Sequence, residues 1–215
     1  MKNNFKTIFV TGIGTDVGKT IVSAILTEAL ETDYWKPVQS GTSEGLTDLL
    51  QVKNLVSNTT SKFHTSIYEL KTAVSPHLAA KIEGVKIKKS LITLKNVSNN
   101  LLIEGAGGLL VPLNNKKMVI DLIKKNYYVV LVSKNYLGSI NHTLLSINYL
   151  KNNGFKKIGV IFSGIENKDS EEIIKKQGKV TIIGRVELIN EIEKTSIIIA
   201  GEKIKSSIKN FLDSH

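Results

Sequence analysis

The chain of 215 residues contains no cysteine, three prolines and a single tryptophan. Without thiols there can be no disulfide and no thiolate-bound metal. The four histidines, His64, His77, His142 and His215, are scattered without the spacing of a ligand set. No apolar run approaches the roughly 20 residues a membrane span requires. The opening MKNNFKTIFVTG carries too short an apolar stretch for a signal peptide. A cytoplasmic protein with no membrane partner is the expectation.

Acidic residues are also scarce: 19 Asp and Glu against 29 Lys and Arg leave a formal net charge of +10. Such a surplus can serve a polyanionic partner. The lysine pairs beginning at 88, 116, 124, 156 and 175 are instead spread along the whole chain, without a dense basic block. The interleaving of aromatic and basic residues found in single-strand binders is missing. Solvated lysines on helices and loops account for the charge, and no nucleic-acid partner is expected.

Against these absences stands a regular alternation. Apolar strand candidates KTIFVT, DYWKPV, NLLIEG, YYVVLVS, KIGVIFSGI and VTIIGRV recur along the chain. Helical patterns lie between them: TIVSAILTEAL, LTDLLQVKNLV, SPHLAAKIEG, KKSLITLKNV, MVIDLIKKN, GSINHTLLSINYLKNNG, DSEEIIKKQG and a closing GEKIKSSIKNFLDS. Near-continuous apolar strands alternating with helices predict an α/β fold, a mainly parallel sheet with helices on both faces. A chain of this length suffices for one domain burying roughly 70–75% of its unfolded surface, and residues 1–215 are read as that domain. Ligands of such sheets bind at the carboxyl ends of the strands.

The first strand runs straight into GIGTDVGKT, Gly12 to Thr20, and then a helix. In that arrangement the backbone amides of Gly14 to Thr20 point into one concavity, and the helix adds about half a positive charge at its start. Lys19 would reach the β- and γ-phosphates of a nucleotide, and the Thr20 hydroxyl would ligate magnesium. The usual pattern G-x-x-x-x-G-K-[ST] would begin at Ile13; the nearest glycines are Gly12 and Gly14.

Magnesium with a nucleotide takes phosphate oxygens, water and one or two carboxylates. Glu104 ends the strand NNLLIEGAGG, and Gly105, Gly107 and Gly108 behind it allow close backbone approach. Asp48 in GLTDLLQ is the second carboxylate; taken alone it reads as an ordinary helix-start acid. Lys36 in WKPVQSG, Trp35 to Gly41, would bring a second cation to a transferring phosphate. Taken alone it is as readily a surface lysine. His77 in VSPHLAA reads as a packed or capping residue, and Tyr127, Tyr128 and Tyr136 as core or rim.

As a set, TGIGTDVGKT, WKPVQSG, TDLL, VSPHLAA, LLIEGAGGLLVPL, VVLVSKNYLGSINHTLLS and IIGRV occur in the order found in ATP-dependent dethiobiotin synthetases, and the chain closely resembles that family over nearly its whole length. The resemblance implies a P-loop ligase of biotin synthesis that joins 7,8-diaminopelargonic acid (7,8-diaminononanoate) to carbon dioxide, cleaving ATP to ADP and phosphate. One amine takes up carbon dioxide as a carbamate, the carbamate attacks the γ-phosphate, and the other amine closes a cyclic urea with loss of phosphate.

Carried over position by position, Asp16, Val17, Gly18, Lys19, Thr20 and Ile21 would hold the nucleotide, with Thr20, Asp48 and Glu104 around Mg2+ and Gly105, Ala106 and Gly107 beside the phosphates. Lys36 matches the catalytic lysine, with Lys19 assisting, and Ser40 a substrate-contacting serine. Thr15 lies beside both ligands. Gly138, Ser139, Ile140 and Asn141 open a helix that the family uses, from the partner subunit, to seat the substrate's distant carboxylate. A homodimer with sites at the interface is implied; the residues themselves indicate only an anion at a helix start. Where the family places a base-reading asparagine after KIGVIF, this chain has Ser163 and Gly164, a position with fewer directed hydrogen bonds to a base edge. Relaxed nucleotide choice is therefore expected, with Glu187 to Ile189 left to contact the base.

The rival from another class is a partition-type ATPase acting with DNA or membrane, which shares the P-loop architecture. Its glycine loop carries a lysine where this chain has Gly14, and it has no counterpart of WKPVQSG. An amidotransferase-like synthetase of cobalamin synthesis would bring a glutaminase cysteine, absent here. A nucleotide-binding module without chemistry is the bland alternative, against which Lys36 is the discriminating residue.

Overall fold

The chain begins with Thr7–Gly12 (β1), five of whose six residues are buried, and passes through the glycine loop into helix Lys19–Leu30 (α1). The computed structural model describes residues 5–94 and 97–214. The next elements are Asp33–Trp35 (β2), Val38–Ser40 (β3), Asp48–Leu55 (α2), Phe63–His64 (β4), Tyr68–Leu70 (β5) and Pro76–Ile82 (α3). Leu101–Gly108 (β6), Pro112–Asn114 (β7) and Lys117–Met118 (β8) follow. Tyr128–Lys134 (β9), Ser139–Asn152 (α4), Ile158–Ser163 (β10), Lys168–Gly178 (α5), Thr181–Val186 (β11) and Lys194–Asp213 (α6) complete the order.

Seven strands form one sheet in the order β11-β10-β9-β1-β6-β2-β4, and every neighbouring pair is parallel. The expected α/β architecture is thus the observed one. Side chains alternate across the sheet: Ile8, Val10, Val130 and Val132 join the core under α1, α2 and α6. Phe9, Val129 and Ile103 face the opposite layer with α3, while Leu131 and Val160 pack with Ile147 of α4 and Ile174 of α5. Each apolar side chain so buried contributes roughly 1.5–3 kcal/mol.

Four expectations are corrected. DYWKPV is not one strand: β2 stops at Trp35, and β3 pairs with β5 in a separate two-stranded sheet. Pro37 has no N–H to donate to a ladder, and its carbonyl instead accepts from the amides of Ile67 and Tyr68. MVIDLIKKN forms only a 3-10 turn at Val119–Leu122, because the amides of Val119 and Ile120 donate to Val111 and Leu109 rather than along a helix. KKSLITLKNV likewise reduces to a turn at Lys89–Leu91; Lys95 and Asn96 of that stretch, like His215, lie outside the described residues. The closing helix begins earlier than GEKIK, at Lys194, and buries Ile197, Ile204, Ile208 and Phe211 along one face.

Lysines at the foot of the sheet have local partners. Lys151 donates to the carbonyls of Gly178 and Lys179, Lys125 to that of Asn153, and Lys6 to that of Leu212. These carbonyls belong to the ends of α4, α5 and α6, where helix dipoles favour cations. No helix among the described residues is long and apolar enough to cross a membrane.

Candidate active site

The glycine loop turns because two of its positions demand it. A Cβ on Gly12 would lie 2.6 Å from Val17 Cγ2, and Gly18, which caps α1, has φ 88°. Gly18 is in the left-handed region, where glycine carries no steric penalty. Val17 is buried and anchors the loop, while its carbonyl accepts a 2.7 Å hydrogen bond from Ser163 Oγ at the end of β10. Thr15 and Asp16 are exposed at the crest. The Lys19 ammonium turns back across the loop and donates to the Gly14 carbonyl at 2.9 Å. Burial pushes the Lys19 ammonium below the ordinary lysine range; Glu104 opposes that and Lys36 adds to it.

Beside the start of α1, side chains from four elements converge. Thr20 Oγ1 lies 2.8 Å from Asp48 Oδ1 and 3.2 Å from Glu104 Oε1. The Lys36 ammonium bridges the same two carboxylates, 2.5 Å from Asp48 Oδ2 and 2.9 Å from Glu104 Oε1. β6 brings Glu104 opposite Val10 of β1, and the departure of the chain at Pro37 turns Lys36 toward it. Asp48 opens α2, but Thr47 caps that helix, accepting from the Leu50 amide, so the aspartate is left for the site. Burial disfavours the Lys36 charge, yet Glu104 and Asp48 outweigh it and hold the ammonium above its ordinary range. Burial would raise Asp48, but the Lys36 charge and the bonds from Lys36 and Thr20 hold it below the usual carboxylate value.

One hydroxyl and two carboxylates make an all-oxygen donor set, which fits a hard divalent cation that completes its shell with phosphate oxygens and water. Among the described residues no cluster of three or more His, Cys, Asp or Glu side chains is placed to hold a metal by protein groups alone.

A cavity of about 890 Å³ opens over this constellation. Thr15, Asp16, Gly18, Lys19, Thr20, Ile21, Lys36, Ser40, Asp48, Glu104, Ala106 and Gly107 all line it. Two of the expected nucleotide contacts, and the four expected at the start of α4, are elsewhere. Gly105 sits behind the wall, where a Cβ would meet Phe9 at 2.9 Å, and Val17 lines a separate cleft of about 150 Å³ with Gly18, Ser163, Gly164, Glu187 and Ile189. Gly138, Ser139, Ile140 and Asn141 start α4 outside the lining of that main cavity; Gly138 caps the helix with φ 103° and Ser139 is buried. Thr15 also lines an adjoining apolar cavity of about 500 Å³, which α4 reaches through His142, Leu145, Ser146 and Tyr149. His77, beside Ser75 Oγ at 3.0 Å, stays at the start of α3.

Three residues were missed by sequence reasoning. Tyr34 donates from its phenol to Glu104 Oε2 at 2.9 Å; Gln39 accepts from the Asp48 amide at 3.2 Å; Val111 lines both cavities. A tyrosine inside an apolar strand carries no signal that separates it from core.

Fold and site together define a P-loop nucleotide-binding protein of the parallel α/β class. The chain matches the family described as an AAA domain over residues 6–196. It is 55% identical to the ATP-dependent dethiobiotin synthetase BioD of Christiangramia forsetii, covering 85% of this chain and 87% of that one. It is 51% identical to the protein of the same name from Cytophaga hutchinsonii, over 80% and 83% of the two chains. The chain belongs to the ATP-dependent dethiobiotin synthetase family. Among solved structures it resembles a putative plasmid partition protein from Borrelia burgdorferi B31 bound to AMPPNP, with TM-score 0.59, 15% identity and 98% of each chain covered. A ParA family ATPase from Chlorobium tepidum TLS follows at TM-score 0.58 and 11% identity, covering 98% of this chain and 97% of that one. At those identities the likeness concerns the fold alone.

Proposed function

We propose that this chain is a dethiobiotin synthetase, an ATP-dependent ligase of biotin biosynthesis that carboxylates 7,8-diaminopelargonate and closes the ring. The observation that carries the reading is the Lys36 ammonium, buried between Asp48 and Glu104 on the wall of the cavity that the P-loop lysine also lines. Beyond balancing the two carboxylates, a second cation at that point suits transfer of a phosphoryl group to a carbamate, which a binding module does not perform.

In this reading one amine of the substrate adds to carbon dioxide and loses a proton, giving a carbamate whose oxygen attacks the γ-phosphorus as ADP leaves. The second amine attacks the carbonyl of the resulting anhydride and expels phosphate. Lys36 orients the carbamate and offsets charge on its oxygens, and Lys19 leaves the Gly14 carbonyl for the phosphates of ATP. Asp16 to Ile21, with Ala106 and Gly107, hold the nucleotide, and Ser40 and Thr15 face the substrate. Magnesium, held by Thr20, Asp48 and Glu104, would supply charge neutralisation on the phosphates.

Residues 1–215 act as one P-loop domain in this reading, and the working form is a cytoplasmic homodimer. The exposed apolar side chains Leu110, Leu145 and Tyr149 lining the second cavity, with exposed Leu137 just before α4, support pairing of two copies there. Such an interface would bring Gly138–Asn141 of the partner copy to the substrate's carboxylate. The lysine partners at the foot of the sheet support a structural origin for the net charge, without nucleic acid or membrane.

The test is phosphate release from ATP with magnesium and bicarbonate, with and without 7,8-diaminopelargonate, the products analysed by mass. Diamine-stimulated release with a cyclic urea product is expected. ATP hydrolysis indifferent to the diamine would overturn the reading.

A further inference from the structure

Tyr34 is fully buried in β2, with its ring 6.4 Å from that of Phe63, and it lines neither cavity. Its phenol nevertheless ends on the site, 2.9 Å from Glu104 Oε2. Glu104 therefore has its two oxygens in different company. Oε1 faces Thr20 at 3.2 Å and Lys36 at 2.9 Å, whereas Oε2 is occupied from behind by a neutral donor.

A carboxylate is free to turn about its last torsion, and with both oxygens available it can clasp a cation with two of them. Calcium accepts such two-oxygen contacts in flexible shells of six to eight ligands; magnesium and ions of similar size demand a compact octahedron. A donor that holds one oxygen from behind fixes that torsion and leaves the other oxygen turned to the cation. Partners of this kind, one bond removed from the metal, orient its ligands, and their loss typically costs about 10–100-fold in affinity or activity.

We infer that Tyr34 is a positioning residue of this site: by occupying Glu104 Oε2 it presents Oε1 alone to the cation shared with Thr20 and Asp48, and so favours small octahedral ions over calcium. The inference rests on the proposed reading of Glu104 as a magnesium ligand. Tyr34 lines neither cavity and acts through Glu104.

The test uses the full chain and Tyr34→Phe, which keeps the ring and removes the hydroxyl. Mn2+ binding is followed by electron paramagnetic resonance with a hydrolysis-resistant ATP analogue present, and Ca2+ by competition. The Mn2+ dissociation constant is expected to rise on the order of tenfold, with a smaller change for Ca2+, so that discrimination narrows. Affinity for the analogue without metal is expected to stay at the parental value. Phe63→Leu, which loosens the same packing without touching the phenol, is expected to lower the melting temperature and leave the metal ratio unchanged. Equal changes for both metals in Tyr34→Phe, no change at all, or the same narrowing in Phe63→Leu would overturn the inference. A Glu104→Gln variant that binds Mn2+ as the parent does would overturn the metal reading itself, and the inference with it.

Discussion

The Lys36 ammonium lies 2.9 Å from Glu104 Oε1, the same oxygen that stands 3.2 Å from Thr20 Oγ1. Lys36 thus draws on the same cradle that is proposed for a divalent cation. In this structure Lys36 balances Asp48 and Glu104, two carboxylates that would otherwise repel at close quarters. Removing one partner of a buried ion pair typically costs about 3–5 kcal/mol. Lys36→Met is expected to lower turnover at least ~100-fold, the usual loss with a preorganised cationic contact. Its melting temperature is expected to depend on magnesium and fall further in chelator, the parent depending on it much less. Thermal melts with and without Mg2+, beside phosphate release, check both halves; parental turnover would remove Lys36 from the chemistry.

Lys19 is the other cation of the cavity, and its 2.9 Å bond to the Gly14 carbonyl must yield when phosphates enter. Lys19→Ala is expected to lower turnover by at least ~100-fold. Because burial depresses this ammonium, its charge is lost at a pH below the ordinary lysine value of 10.5. The alkaline limb of kcat/KM for ATP, which reports the free enzyme, should therefore fall before that pH. A limb at the ordinary value that Lys19→Ala leaves in place would show that another group titrates.

The Lys36–Asp48 pair also shapes stability against pH. Asp48 is held below its ordinary value of 3.8, so its contribution is fully present above that pH and is lost as pH falls through the folded value. Lys36 is held above 10.5, so its contribution is fully present below that pH and is lost as pH rises through its raised value. Urea unfolding of the parent and Asp48→Asn should differ by a constant amount between the two ordinary values, the difference shrinking on the acid side. A difference that persists unchanged into acid would contradict the assignment.

What the sequence made legible was what lies contiguous in it. Gly12 to Thr20 runs from the end of a strand through a glycine turn to the start of a helix, and that local conformation is legible in one contiguous run. Lys36, Asp48 and Glu104 are 68 residues apart from first to last, and no periodicity joins them; strand-end position and the needs of a magnesium nucleotide nominate each singly, and the family resemblance assigns them roles as a set. Tyr34 stayed hidden because an apolar strand predicts a buried ring whichever way its hydroxyl points. The turn at Val119–Leu122 reads as a helix in the sequence because pattern alone does not reveal that the amides of Val119 and Ile120 are committed to a neighbouring loop; at Lys89–Leu91 the amides of Leu91 and Ile92 bond only within a single 3-10 turn.

Ser163 carries the prediction on nucleotide choice. Its hydroxyl proton is already given to the Val17 carbonyl at 2.7 Å, so it steadies the glycine loop and has no donor left for a base. The rest of the small cleft is largely apolar, with Asp16, Lys134 and Glu187 as its charged residues. One hydrogen bond is worth about 0.5–1.5 kcal/mol, so without a side-chain amide there, kcat/KM for GTP and CTP should lie within about tenfold of that for ATP. Initial rates with the three nucleotides decide the matter, and a preference for ATP beyond about a hundredfold, more than one such bond supplies, would contradict it.

Dimerisation supplies the last prediction. Leu145 is 59% exposed on α4 and lines the apolar cavity beside Thr15, while Leu137, just before the helix, is fully exposed. A charge placed at Leu145 must be desolvated if that face is covered by a second copy, and must cost almost nothing if the face meets water. Leu145→Glu is therefore expected to shift the protein toward monomer in sedimentation velocity and to raise KM for the diamine more than KM for ATP. The asymmetry follows from the proposed dimer: the residues proposed to hold the nucleotide all come from one chain, whereas Gly138–Asn141 lie outside the main cavity of their own chain and in that reading serve the partner copy's substrate. A monomeric Leu145→Glu protein with parental KM for the diamine would show that the carboxylate seat is not shared, and a variant that remains dimeric would place the interface on another face.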